Sequence, residues 1–238
     1  MKTISRVFMP VTLVAALLFS TSCLDCIEGD GNVIQKTVEV GNFTKIKLNG
    51  DANITLTSDS AALFLIKGEK NILDEYKVEV EGKTLVIASR HCLRNHEQVS
   101  LQIPYKQLES VIVNGSGSVY ANEAVKSASL ELKINGSGDF EVPLDVQDLS
   151  GTISGSGDIV LTGTAKNADF TINGSGNIDT PELSTEQCSV TVNGSGDCTV
   201  WASGNLKVDI RGSGSVYYKG NPSIKTDIKG SGSVNKKE

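Results

Sequence analysis

Several sets of residues in this chain are of types that do chemistry, and each has a plainer use. Serine lies between two glycines seven times, in Gly-Ser-Gly tripeptides starting at Gly115, Gly136, Gly155, Gly174, Gly194, Gly212 and Gly230. A serine nucleophile needs Gly-x-Ser-x-Gly on a strand-to-helix turn, with a base and an orienting acid. No histidine is near any copy in sequence, so the serines are expected to serve turns. Asp139, Asp158 and Asp197, with Asn177 among them, recur just after the tripeptides. Stacked carboxylates bind calcium in some repeat proteins. Here the position lapses to Ser118, Ser215 and Ser233, which favours bonding of these side chains to nearby backbone N–H groups. His91, Cys92, His96 and Glu97 are zinc-ligand types without a second cysteine pair, and read as an exposed polar loop. Asp145, Asp148, Asp169 and Asp179 are the residue type that cleaves polysaccharides, yet no pair is singled out. No Gly-Lys-Ser/Thr follows a glycine-rich stretch, so there is no phosphate loop. No catalytic residue, cofactor or metal is expected. Trp201 and Tyr217 fall on the outward phase of their strands and are candidate ligand-stacking groups, whereas Tyr218 falls inward and reads as packing.

What positions these residues is a repeat. The tripeptides are spaced 21, 19, 19, 20, 18 and 18 residues apart. The residue two before each tripeptide is always apolar and β-branched: Val113, Ile134, Ile153, Ile172, Val192, Ile210 and Ile228. Further apolar positions recur in steps of two, with Glu109, Gly151 and Thr226 as exceptions, and an apolar residue returns two positions after each tripeptide. A step of two is strand periodicity with one buried face. A hairpin meander has no reason to repeat one bend at one phase, whereas a solenoid stacks equivalent bends and pairs equivalent strands in parallel, about 4.8 Å apart. Asn114, Asn135, Asn173 and Asn193 precede the bends and would form a hydrogen-bonded ladder, interrupted at Ser154, Arg211 and Lys229.

Residues 33–110 lack clean tripeptides but keep the alternation. Strands are expected over 35–40, 44–48, 53–57, 63–67, 77–81, 84–88, 100–103 and 110–113, with one helical turn over 70–76. Leu48-Asn49-Gly50-Asp51-Ala52 resembles a degenerate bend. This part is read as irregular first coils and a cap, continuous with a regular solenoid over 111–238; a separate small sandwich is the alternative. At the other end, lysines including Lys229, Lys236 and Lys237 discourage edge-to-edge growth. A homo-oligomer that covers the end is equally compatible.

The first 22 residues read as an export signal: Lys2 and Arg6, an apolar run over 7–19, then small residues before Cys23. Leu-Phe-Ser-Thr-Ser-Cys resembles a loose lipobox, which makes Cys23 the expected lipidated residue and 23–32 a tether to a membrane. Loss of Lys2 and Arg6 takes the net charge from −6 to −8. So acidic a chain, with 5% aromatics, is a poor partner for nucleic acid. Four cysteines then remain in a disulfide-permissive compartment, and the preferred pairing is Cys188–Cys198 with Cys26–Cys92. Cys188 and Cys198 both fall on inward positions either side of one bend; free buried thiols are the alternative.

The lipobox, the repeated [Asn/Ser]-Gly-Ser-Gly-[Asp/Ser/Asn] motif and the irregular β-rich lead-in together resemble the bacterial auto-transporter adhesin, head GIN domain family, over roughly residues 33–234. The resemblance implies a right-handed parallel β-helix that is exported and often lipid-anchored, and it brings no catalytic residues. The expected function is a non-catalytic adhesion or interaction module of the cell envelope, an outer-membrane lipoprotein facing the periplasm or the surface, meeting glycan or protein. Polysaccharide binding or cleavage in a lateral groove, and a structural envelope role, are the alternatives.

Overall fold

Eight glycine bends lie one above another in this molecule, starting at Gly50, Gly115, Gly136, Gly155, Gly174, Gly194, Gly212 and Gly230. The structure, a computed structural model, describes residues 26–59 and 61–237. Each bend joins a strand before it to a strand after it. Both pair in parallel with their counterparts in adjacent coils, which makes a β-solenoid.

The stacking explains the glycines. The first glycine of each tripeptide has φ between +137° and +144°. A Cβ at Gly155 would lie 2.1 Å from the carbonyl oxygen of Gly136, and one at Gly157 would lie 2.0 Å from that of Gly138. No side chain fits in that space. The same carbonyls accept the next coil's bend amides: the Ser156 and Ser175 N–H groups donate to Gly136 and Gly155 at 2.9 Å.

The core runs the length of the stack as apolar rows. One row is Val119, Phe140, Ile159, Ile178, Cys198 and Val216; another is Leu130, Leu149, Ala168, Cys188 and Leu206, all buried. Such rows supply most of the driving force, about 1.5–3 kcal/mol for each large side chain fully buried. Gly151, an exception to the apolar pattern, makes room for its ladder neighbour: a Cβ there would lie 2.8 Å from Cδ1 of Phe170.

In the lead-in, chain order and stacking order differ. Lys45–Gly50 and Asn53–Thr57 form the Gly50 coil. Thr84–Ser89 and Ser100–Pro104 lie on one side of it, and Ser110–Gly115 and Val119–Ala121 on the other. A later segment therefore lies beneath an earlier one. Leu65–Glu69 and Tyr76–Glu81 close that end by antiparallel pairing, with a short helix, Lys70–Glu75, between them. The antiparallel Val33–Thr37 strand joins Leu65–Glu69.

Residues 1–25, and with them the expected signal and lipidated Cys23, lie outside the described residues. From Cys26 on, the stretch expected as a tether is fastened to the cap. Cys26 is disulfide-bonded to Cys92, Ile27–Glu28 pairs with Leu93–Arg94, and the buried Glu69 carboxylate accepts the Gly31 and Glu97 N–H groups at 2.6 and 3.2 Å.

Candidate functional site

The bend residues spend their chemistry on the stack. All seven serine side chains of the tripeptides are exposed at one corner, and none is hydrogen-bonded to a histidine. Among the asparagines before the bends, the Asn114 amide donates to Asn49 and that of Asn135 to Asn114, both at 2.7 Å; Asn193 donates to Asn173 at 2.8 Å. The run breaks at Ser154 and ends before Arg211. After the bends, each carbonyl or carboxylate side chain accepts the backbone N–H of the next coil: Asp139 from Asp158 (3.1 Å), Asp158 from Asn177 (2.9 Å), Asn177 from Asp197 (3.0 Å) and Asp197 from Ser215 (2.7 Å). These carboxylates tie coil to coil. Among the described residues no group of three or more His, Cys, Asp and Glu converges as a metal site.

The other candidates are dispersed. Cys92 is in the disulfide, His91 Nδ1 meets Glu75 at 2.6 Å, and His96 contacts the Glu97 carbonyl at 2.8 Å. The His96 side chain is only 6% exposed, so the loop is less open than its composition suggests. Asp145 accepts from the Thr164 hydroxyl and Asp148 from the Asn167 amide, at 3.2 and 2.8 Å. Both are coil-to-coil bonds.

The expected Cys188–Cys198 bridge is corrected: both thiols are free and buried. Alternation fixes that each points inward, but the strands before and after a bend belong to walls that do not pair with each other. Cys188 stacks between Ala168 and Leu206, and Cys198 between Ile178 and Val216. Each sulfur packs as a small apolar group in its own row. Burial pushes the Cys188 thiol up to about 12, helped by the Asp169 charge, and holds the Cys198 thiol well above its ordinary value.

Trp201 and Tyr217 line two different depressions. Tyr217 stands beside Thr199 of the preceding coil, and Lys219 beside Trp201. Trp201 is 39% exposed, in a depression with Pro181, Glu182, Lys219, Gly220 and Asn221. Tyr217 lines an adjoining depression with Asp158, Asp179 and Asp197. The sequence gives no hint that Pro181 and Glu182 border the indole. They arise from an irregularity: Thr180 pairs with Val200 and Ser184 with Trp201, so Pro181, Glu182 and Leu183 have no partner in the following coil, although Glu182 and Leu183 pair with Thr162 and Gly163 of the preceding one. The only trace in the sequence is the change of interval from 20 to 18 residues at this coil. Tyr218 is half-buried against the core.

The outward side of the wall before the bends is an ordered surface. Across three coils it presents Ser150, Thr152 and Ser154; Asp169, Thr171 and Asn173; and Ser189, Thr191 and Asn193, in direct ladder register. Coils spaced about 4.8 Å apart, with outward side chains about 6.6–6.8 Å apart along each strand, make this a lattice of small polar groups. At its edge a lateral groove has Leu149, Ala168, Cys188 and Leu206 as its floor, beside Asn167 and Gln187.

Solved structures of similar proteins share this fold. A "putative adhesin" from Bacteroides fragilis is 28% identical, with a TM-score of 0.83 over 88% of this chain and 99% of that one. A "putative lipid binding protein" and a "putative adhesin", both from Parabacteroides distasonis, are 27% and 26% identical, each with a TM-score of 0.74 over 89% of this chain and 99% and 100% of theirs. No curated protein matches. The family model described as "Putative auto-transporter adhesin, head GIN domain" matches residues 42–222, an adhesin-type assignment that suggests a cell-surface or envelope protein rather than an enzyme. The glycine corners, the stacked coils and this match lead to one conclusion: the chain belongs to that adhesin head family.

Proposed function

We propose that this protein is a lipid-anchored, non-catalytic adhesion module of the outer membrane, held by an acylated Cys23, and that it adheres through the lattice of small polar side chains centred on Thr152, Thr171 and Thr191. The observation that carries the reading is that nine serine, threonine, asparagine and aspartate side chains stand in register on one wall. Short side chains lose little rotamer freedom when a partner orders them. Such a wall suits an extended, regularly repeating polar partner, such as a surface polysaccharide. The test is adhesion of protein-coated beads to polysaccharide surfaces, before and after Thr152→Arg, Thr171→Arg and Thr191→Arg are combined. All three side chains point outward, so the fold should survive and adhesion should fall at least tenfold. Unchanged adhesion overturns the reading. Protease shaving of intact cells tests the exposure: a protein that survives shaving does not face the medium.

The Trp201 depression favours a second reading, recognition of a single sugar. An exposed indole flanked by Glu182 and Lys219 offers a stacking face with polar groups at its rim. Saturable binding on a glycan array that Trp201→Ala abolishes, while the threonine variants leave it intact, would place recognition there.

A further inference from the structure

The two ends of the solenoid are built differently. One is closed by antiparallel strands and the short helix. At the other, Ser223–Gly230 is exposed at every residue, and Ile224 and Ile228 are among the most exposed large apolar side chains, at 39% and 40%. Their row-mates in the preceding coil, Leu206 and Ile210, are each 1% exposed. Ser223–Gly230 pairs with Cys198–Gly212 on one side and with no strand among the described residues on the other.

That free edge is self-complementary. Along Ile224-Lys225-Thr226-Asp227-Ile228, inward residues (Ile224, Thr226, Ile228) alternate with outward charges (Lys225, Asp227). An antiparallel partner must place inward residues opposite inward residues, because directly opposed side chains share a face. Four registers satisfy this near the middle of the strand. Centring on Lys225 opposes two lysines. Centring on Asp227 opposes two aspartates and sets Lys225 against Lys229. Centring on Ile228 sets Asp227 against Lys229 twice, but it pairs only residues 226–230 and leaves Ile224 outside the ladder. Centring on Thr226 sets Ile224 against Ile228 twice and Lys225 against Asp227 twice, with no like charges opposed. Like charges directly opposite destabilise a strand pair, and opposite charges support it. The lysines that guard the edge against arbitrary strands are thus answered by Asp227, and only the Thr226 arrangement also pairs both isoleucines along nearly the whole strand.

We infer that this end docks on a second copy of the same chain, edge to edge, about a twofold axis at Thr226. In the isolated chain Asp227 meets Lys229 at 3.3 Å, an exposed contact that a partner's Lys225 can replace. The preceding coil keeps the same charge order beneath it, Lys207, Asp209 and Arg211 under Lys225, Asp227 and Lys229. A closed twofold uses up both open edges, so assembly stops at two. The docking leaves the threonine wall and the Trp201 depression outside the paired strands.

The test uses the full chain with Cys23→Ser, so that no lipid drives association. Light scattering on a sizing column at tens of micromolar should give twice the chain mass. Asp227→Lys, which opposes lysines at both positions, should give a monomer with an unchanged circular dichroism spectrum. Adding Lys225→Asp to that variant restores opposite charges and should restore the dimer. Separately, Thr226→Cys should crosslink to itself under mild oxidation, whereas Ile224→Cys should not. A wild-type monomer at these concentrations overturns the inference. So does a dimer that Asp227→Lys leaves intact, or a charge-reversed pair that stays monomeric.

Discussion

Gly50 and Gly155 have nearly the same backbone conformation, with φ of +145° and +142°, but differ in what lies beneath them. A Cβ at Gly50 would meet nothing within 4 Å, because the Thr84–Ser89 ladder ends at Asn49. A Cβ at Gly155 would meet the Gly136 carbonyl oxygen at 2.1 Å and its carbon at 2.9 Å. Gly50→Ala therefore isolates the conformational cost, about 1–3 kcal/mol for a side chain forced into a sparsely populated backbone region. Gly155→Ala adds the clash. Relief requires lifting the corner off Gly136, which gives up the 2.9 Å bond from the Ser156 N–H. Loss of that bond costs about 1 kcal/mol, and more if the carbonyl is left unpaired. Gly155→Ala should thus be at least about 2 kcal/mol worse than Gly50→Ala once the displaced packing is included. With a urea m-value of about 2–3 kcal/mol/M, that is a midpoint lower by roughly 0.7–1 M. Urea titrations followed by circular dichroism measure it, with exposed Ser156→Ala as a control within about 0.5 kcal/mol of wild type. Equal midpoints for the two glycine variants would refute the idea that vertical stacking, rather than backbone conformation alone, requires glycine at the corners.

Three other outcomes follow from the packing. Gly151→Ala should cost about 1–3 kcal/mol by overpacking against Phe170, and less in a Phe170→Leu background; a double-mutant cycle in urea that is additive rejects the compensation. Asn114→Ala removes two ladder bonds and Asn193→Ala one, so at about 1 kcal/mol per bond the first should lose roughly twice as much stability. Cys188 should resist a thiol reagent at pH 8 in the native state and react only on unfolding, because its folded value lies near 12. Its burial as a neutral thiol contributes stability fully below the unfolded value of about 8.5, and that contribution declines as pH rises from there toward 12. Reaction at an unfolded-like rate in native buffer would contradict the burial.

The regular coils were legible because their constraint is local and repeated. A glycine every 18–21 residues, at one phase of an alternating pattern, has no use except a stacked corner. Leu48-Asn49-Gly50-Asp51-Ala52 was readable on the same grounds, and Gly50 does underlie Gly115. Most strands of the lead-in, and the helical turn near Lys70–Glu75, follow from alternation and its interruption. The insertion of Thr84–Ser89 and Ser100–Pro104 beneath the Gly50 coil was not legible, since parallel partners far apart in sequence leave no periodic mark. Cys188 and Cys198 show the limit of alternation: it gives the direction of a side chain and says nothing about which wall carries it. The Trp201 depression depends on Pro181-Glu182-Leu183, which the following coil skips, a step visible in the sequence only as an uneven interval.

The Gly50 coil lies between a segment reached only after Thr84 and another that begins at Ser110. As the chain emerges it must wait, half-made, until some sixty further residues have followed to close over both its faces. Closing that long loop is the slow, entropically costly event. Every later winding needs only the next stretch of about twenty residues and a finished surface to settle on. Formation should therefore begin at the disulfide-bonded end and run as a zipper toward the carboxyl end, so a defect near Gly50 delays the whole molecule whereas one near Gly212 spares the windings already laid down.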